Sequence, residues 1–242
     1  TAISDGSIAP ASIHYYNGVF YATRGTYVVS STDGLTWSPM GNVQPIAQLL
    51  AIGSPGFVGL TSGQLYSSRD GVNWTADSMD TPSELPDAEL GGLALDAPSG
   101  SNFDRFLLVG QRSGAARVWT RYIDKTNAEV FPWLYLITDA GNKQPCPALR
   151  NITLQPYADG ALLVGDGNDG KPAPFYLTED GGRTWNPNAL KRPNDIAATH
   201  SAALVVGGEV YLFCSGSGNV WKGKLNRAAW TKPQYSFTKG IR

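Results

Sequence analysis

The sequence predicts an all-β fold built from five repeated four-stranded sheets. Three observations predict it. Glycine (28 residues) and proline (16) punctuate the whole chain, and these residues set the geometry of tight turns. Between them lie short runs rich in Val, Leu, Ile, Tyr and Phe, and no stretch sustains the helical period of about 3.6 residues. Finally, one turn sequence recurs in register with the strand pattern, as an internal repeat does.

Composition bounds the rest. The chain has 242 residues and a formal net charge of −1, so it has no bulk attraction for nucleic acid or anionic lipid. Charged residues make up 16%, below the ~25% of an average domain. Seven Trp and eleven Tyr provide too much apolar surface for a disordered chain. No apolar run approaches the ~20 residues of a membrane-spanning helix. The first residue is Thr1, which suggests a processed or cut chain in which a signal peptide is neither seen nor excluded. Cys146 and Cys214 are too few for a disulfide framework; two buried free thiols are the simpler reading and one bridge the alternative. The Asn73-Trp74-Thr75 and Asn151-Ile152-Thr153 triplets have the form of glycosylation acceptors but are expected by chance.

The recurring turn is found three times, at Ser31-Thr32-Asp33-Gly34-Leu35-Thr36-Trp37, Ser68-Arg69-Asp70-Gly71-Val72-Asn73-Trp74 and Thr178-Glu179-Asp180-Gly181-Gly182-Arg183-Thr184-Trp185. Each follows a β-type run. A Ser/Thr and an Asp at this spacing accept hydrogen bonds from backbone N–H groups two or three residues ahead. Glycine takes the positive-φ position of the tight turn, and Trp buries a large ring beside the outer strand.

The motif resembles the Asp-box, or BNR repeat, of β-propeller proteins of the sialidase-like superfamily, and the chain resembles secreted bacterial propellers of that kind. The remaining strands follow from these anchors. Repeat one reads Ser12–Asn17, Val19–Thr23, Tyr27–Ser31 and Thr36–Met40. Repeat two reads Gln48–Gly53, Phe57–Thr61, Leu65–Ser68 and Asn73–Asp77. Repeat four reads Asn151–Tyr157, Ala161–Gly165, a loop at 166–173, Pro174–Thr178 and Thr184–Asn186. Two repeats lack the box. Repeat three reads Leu90–Leu95, Arg105–Gly110, Ala116–Ile123 and Pro132–Ile137, with Asp124-Lys125-Thr126-Asn127 in place of the box and Trp133 as its anchor. Repeat five reads Ser201–Val206, Glu209–Cys214, Asn219–Lys224 and Ala228–Thr231, with Trp230 as anchor.

Trp37, Trp74, Trp133, Trp185 and Trp230 recur about every 48 residues, the length of a four-stranded propeller blade. The expectation is a single five-bladed β-propeller over residues 1–242, with repeats at about 11–42, 47–80, 89–139, 149–188 and 198–233. Either tail, Ala2–Ile8 or Tyr235–Lys239, is placed to add a locking strand. A two-sheet sandwich is the alternative, but it does not explain why the same turn recurs.

In an antiparallel four-stranded sheet the second-to-third turn and the linker to the next sheet share one end. The first-to-second turn and the Asp-box share the other. Ser31, Asp33, Gly34, Trp37, Ser68, Asp70, Gly71, Trp74, Thr178, Asp180, Gly182 and Trp185 are therefore read as structural. By analogy with the fold, ligands bind at the linker end. The candidates there, by position, are Arg24, Arg112, Asp166, Asp169, Lys191, Arg192 and His200. The Asp166–Asp169 loop faintly resembles a calcium loop but lacks its spacing. His14 and His200 open first strands, and each reads as a satisfied polar residue. No G-x-S-x-G, H-E-x-x-H or phosphate loop is present, and no metal or cofactor is expected.

Sialidases, the enzymes of the resembled superfamily, are six-bladed and carry an Arg cluster, a Tyr/Glu pair and an early Phe-Arg-Ile-Pro motif. Here the first strand is Ser12-Ile13-His14-Tyr15-Tyr16, without Arg, and Arg24, Arg112 and Arg150 match no family motif. The expectation is a monomeric, non-catalytic binding or adhesion module of an exported protein, secreted or in the cell envelope. It would recognise a glycan or protein through the linker face. A degenerate sialidase-like glycoside hydrolase and a protein-docking assembly scaffold are the alternatives.

Overall fold

Tight hairpins organise this chain, because its turn residues sit where right-twisted strands demand them. The structure, a computed structural model, describes residues 13–79, 88–95, 101–126, 130–136, 146–157, 160–167, 173–190, 200–206, 209–214, 220–224 and 237–239. Asn17-Gly18, Ser62-Gly63 and Ser113-Gly114 have paired positive φ angles, near 50° and then 73–83°. This is the type I′ geometry whose twist matches that of the strands it joins.

The described strands form five four-stranded sheets, each in chain order. Sheet one holds β1 (Ile13–Tyr16), β2 (Val19–Arg24), β3 (Tyr27–Ser31) and β4 (Ser38–Pro39). Sheet two holds β5 (Gln48–Gly53), β6 (Gly56–Thr61), β7 (Gln64–Ser68) and β8 (Thr75–Ala76). Sheet three holds β9 (Ala88–Leu95), β10 (Phe103–Arg112), β11 (Ala115–Asp124) and β12 (Leu134–Leu136). Sheet four holds β13 (Leu149–Tyr157), β14 (Gly160–Gly167), β15 (Phe175–Thr178) and β16 (Asn186–Leu190). Sheet five holds β17 (His200–Val206), β18 (Glu209–Cys214), β19 (Val220–Lys224) and β20 (Phe237–Lys239).

The outer strands depart most from expectation: β4, β8 and β12 are shorter at both ends than the expected Thr36–Met40, Asn73–Asp77 and Pro132–Ile137. In sheet four the last strand begins after Trp185, because that ring is committed to the preceding turn. In sheet five the fourth strand is Phe237–Lys239, pairing Trp221 with Lys239 and Gly223 with Phe237. The tail thus completes its own sheet. The expected Ala228–Thr231 strand, Trp230 and the Ala2–Ile8 tail lie outside the described residues.

By contacts the chain divides into two compact units. The first is Thr1–Asp80, Ala94–Phe106 and Arg121–Trp133; the second is Thr81–Leu93, Leu107–Thr120 and Leu134–Arg242. In the first, β1 packs on β5, and Val28, Leu49, Val58 and Leu65 are fully buried. In the second, β13 packs on β17, and Leu107, Leu108, Trp119, Leu162, Leu163 and Val164 are fully buried. Strand β14 is buried along nearly its whole length, which is why its sequence reads as a continuous apolar run and not as an alternation. Strand β1 alternates between exposed and half-buried positions, as an edge strand does.

Candidate functional site

The three Asp turns share one internal geometry. In the first, Ser31 Oγ accepts from the Gly34 N–H at 2.9 Å, and Asp33 Oδ1 accepts from the N–H groups of Leu35 and Thr36 at 2.8 and 2.7 Å. In the second, Ser68 Oγ accepts from Gly71 at 2.9 Å, and Asp70 Oδ1 accepts from Val72 and Asn73, each at 2.8 Å. In the third, Thr178 Oγ1 accepts from Gly182 at 2.8 Å, and Asp180 Oδ1 accepts from Arg183 and Thr184 at 3.0 and 2.9 Å. Gly182, not Gly181, is thus the equivalent of Gly34 and Gly71; Gly181 is an inserted residue. Each turn closes with an indole N–H on the glycine carbonyl: Trp37 at 3.3 Å, Trp74 at 2.9 Å and Trp185 at 2.9 Å. Trp185 is fully buried, whereas Trp37 and Trp74 are only half-buried.

These bonds set the charge state of the carboxylates. The Thr36 and Leu35 N–H groups hold Asp33 far below the usual carboxylate range, and the Asn73 backbone and side chain do the same for Asp70. At Asp180 partial burial pulls upward, but hydrogen bonds from Thr184, Thr178 and Arg183 outweigh it and the net direction is down. All three are held in the charged form, each with its Oδ1 occupied by its own turn.

At the opposite end of the sheets, the second unit carries three of the expected ligand candidates among its described residues, Arg112, Asp166 and His200. The buried Gln111 side chain at the end of β10 donates to the Leu149 carbonyl at the start of β13. This link sets Arg112, half-buried, beside the start of sheet four. There the register slips between Arg150 and Thr153, and Asn151 takes a φ of 50°. Such a bulge re-aims neighbouring side chains, and Arg150 is exposed. His200 opens β17, the strand packed on β13.

Asp166 departs from the sequence expectation. It does not project from a loop, as its sequence context leads one to expect. It lies within β14, opposite Arg150, at 1% exposure, and accepts from Asn151 Nδ2 at 3.0 Å. Strand β14 runs two residues further than expected because this bond gives the buried carboxylate a partner. Asp166 therefore pins the bulge and does not face solvent. Arg24 ends β2 in the first unit and is exposed. Asp169, Lys191 and Arg192 lie outside the described residues. His14 is a satisfied histidine: its Nε2 lies 3.0 Å from the Leu49 carbonyl, and burial lowers its pKa below 6.5. Cys146 is a buried free thiol whose pKa burial raises.

One cluster is invisible in the sequence pattern. Trp133 does not close on a glycine of its own turn. Its Nε1 donates to Asp77 Oδ2 at 2.8 Å. Ser67 Oγ donates to Asp77 Oδ1 at 2.7 Å, and Arg121 Nη1 approaches the same oxygen at 2.6 Å, as an ion contact without hydrogen-bond alignment. The Arg121 Nε–H donates to the Phe131 carbonyl at 2.9 Å, and its guanidinium lies 5.7 Å from the Trp133 ring centroid. The available signal was Arg121 itself, a charge in the middle of an expected strand.

Repeated antiparallel four-stranded sheets with a common third turn define a propeller-type all-β protein. The chain belongs to the family described as the DUF6242 beta propeller domain, whose model matches residues 2–233. No curated protein matches it. Among solved structures, a chain of a nidogen/laminin complex superposes with a TM-score of 0.55 at 14% identity, covering 90% of this chain and 77% of that one. An α-L-arabinofuranosidase from Podospora anserina reaches 0.47 at 12%, covering 97% and 91%. A glycosyl hydrolase from Bacteroides ovatus reaches 0.44 at 10%, covering 87% and 82%. At such identities the likeness is one of fold. Among the described residues no helix is long and apolar enough to cross a membrane.

Proposed function

We propose that this chain is a non-catalytic binding or adhesion module of an exported protein, a single propeller domain whose three Asp turns are Asp-boxes of the BNR type. The observation that supports this reading is the division of polar chemistry between the two ends of the sheets. At one end the aspartates are occupied by their own backbone. At the other end Arg24 and Arg150 are exposed and Arg112 is half-buried, and the sheets differ in the groups they carry there. Chemically distinct loop ends on a scaffold of sheets suit recognition of an irregular ligand surface. The ligand is a glycan or a protein. Its candidate contacts are Arg24 in the first unit and, in the second, Arg112 and Arg150 with Asp169, Lys191, Arg192 and His200. Protein docking is the second reading, favoured by the TM-score of 0.55 to a chain taken from a protein–protein complex.

The test is a glycan array probed with the purified chain, with and without calcium. Binding to one sugar class, weakened roughly tenfold or about 1.4 kcal/mol by Arg24→Ala or Arg112→Ala at unchanged thermal stability, supports glycan recognition. A blank array overturns it in favour of protein docking. Binding indifferent to all these substitutions removes the linker end as the site.

A further inference from the structure

We propose that Asn17 is a site of spontaneous covalent modification: the Gly18 backbone nitrogen attacks the Asn17 side-chain amide, and the residue converts to aspartate and isoaspartate. Asn17-Gly18 is the one Asn-Gly pair in the sequence. It forms the two-residue turn between β1 and β2, closed by the Tyr16–Val19 pair. Both residues are exposed, with φ angles of 49° and 83°, and apart from its chain neighbours no residue comes within 4 Å of where a Gly18 Cβ would be. Among the described residues no side-chain hydrogen bond holds the Asn17 amide. Asparagine is a thermolabile residue, and a following glycine leaves the attacking nitrogen unhindered. The other described asparagines precede Val43, Trp74, Phe103, Ile152, Pro187 or Ala189, whose side chains obstruct the same approach.

The reaction balances within the chain and water. The Gly18 nitrogen bonds to the Asn17 side-chain carbonyl carbon, loses its proton and expels ammonia, giving a five-membered imide. Water opens the ring at either carbonyl. Opening at the side-chain carbonyl leaves an ordinary aspartate in the turn. Opening at the main-chain carbonyl routes the backbone through the side chain as isoaspartate.

The Asp-Gly pairs of the three turns could form the same imide, and the structure opposes it. The attacking nitrogens of Gly34 and Gly71 are hydrogen-bonded to Ser31 and Ser68. The Asp33 and Asp70 carboxylates are ionised and held by the backbone ahead, and an ionised carboxylate is a poor acceptor for the nitrogen. Asp180 is held by Arg183, Thr184 and Thr178. Asp166 is buried against Asn151. The four described Asp-Gly pairs are thus protected, and the single Asn-Gly pair is not. Isoaspartate adds a main-chain carbon to a two-residue turn, so conversion loosens β1, a four-residue strand paired within its sheet to β2 alone.

The experiment is to age the folded chain in mildly alkaline buffer and follow it by peptide mapping and by methyl uptake from protein isoaspartate methyltransferase. Asn17 should convert before any other asparagine, as a split pair of acidic products. The Asp33, Asp70 and Asp180 peptides should yield isoaspartate only when the chain is aged in urea. Asn17→Gly, which keeps the positive-φ turn, should abolish the early methyl uptake. Early conversion elsewhere, an intact Asn17, or uptake that survives Asn17→Gly overturns the proposal.

Discussion

Asp77→Asn removes one negative charge from a site that is almost closed to water: the side-chain exposures of Asp77 and Arg121 are 1% and 7%. The carboxylate serves three partners, Ser67 and Arg121 on Oδ1 and the Trp133 indole on Oδ2. Whichever way the new amide turns, its NH2 group faces one of these donors, and Arg121 is left as a buried cation without this counter-charge. Breaking a buried ion pair from one side costs about 3–5 kcal/mol. For a chain of this size each kcal/mol moves the melting temperature by about 2–4 °C, so a fall of roughly 6–20 °C is expected. Arg121→Met alone should also destabilise, because it orphans the aspartate. The double variant Asp77→Asn/Arg121→Met should recover much of the loss, because the charge pair disappears from both sides. Urea midpoints with unchanged slopes measure all three variants. A single-variant cost below about 1 kcal/mol, typical of a surface pair, or strict additivity in the double variant, would refute the assignment.

Gly182→Ala should destabilise by about 1–3 kcal/mol, because its Cβ would meet Leu107 Cδ1 at 2.7 Å and Val118 Cγ1 at 3.0 Å at a φ of 95°. Gly25→Ala meets nothing within 4 Å and should cost only the positive-φ penalty of about 1 kcal/mol; equal melting losses would refute the packing argument. Acid should weaken the fold in two stages. His14 titrates below 6.5 when folded, so the unfolded chain takes up that proton first. Stability is therefore full above 6.5 and declines as pH falls through the folded value. Asp33, Asp70 and Asp180 lie below 3.8 when folded, so their contribution is full above 3.8 and is lost as pH falls below it. Urea midpoints against pH should show both stages, and His14→Gln should remove the upper one; a midpoint that rises on acidification through 6.5 would contradict the burial of His14.

The strand order and the hairpins were legible because they are written locally. Asn17-Gly18 specifies two positive φ angles by residue type and Gly63 one, and a Ser/Thr, an Asp, a Gly and a Trp at fixed spacing specify a turn whose bonds all close within seven or eight residues. Outer strands were less legible. The Tyr235–Lys239 tail was legible as an added strand, but β20 at Phe237–Lys239 pairs with β19 across a long connection, and nothing local marks that partner. Burial of polar groups was illegible for the same reason. Asp166 reads as a loop residue in Gly165-Asp166-Gly167, and only the distant Asn151 makes it an interior one. Asp77 and Arg121 are 44 positions apart in the chain, and Trp133, read as an anchor, is held by Asp77 and not by its own turn. At the candidate site, position alone indicated Arg112 and His200, but the bulge that presents Arg150 depends on a bond between two strands.

The brevity of the outer strands has a consequence for how these molecules behave in a crowd. β4 and β8 have two residues each and β12 three, and one of the two in β4 is Pro39, which has no N–H to offer. The first two Asp turns consume backbone donors that a longer strand would have left facing outward. A sheet margin with so few open donors and acceptors is a poor template for another chain to extend. In sheets one and two the turn that closes the hairpin therefore also keeps an aromatic-rich, nearly neutral protein from adding strands to its neighbours and growing into fibres.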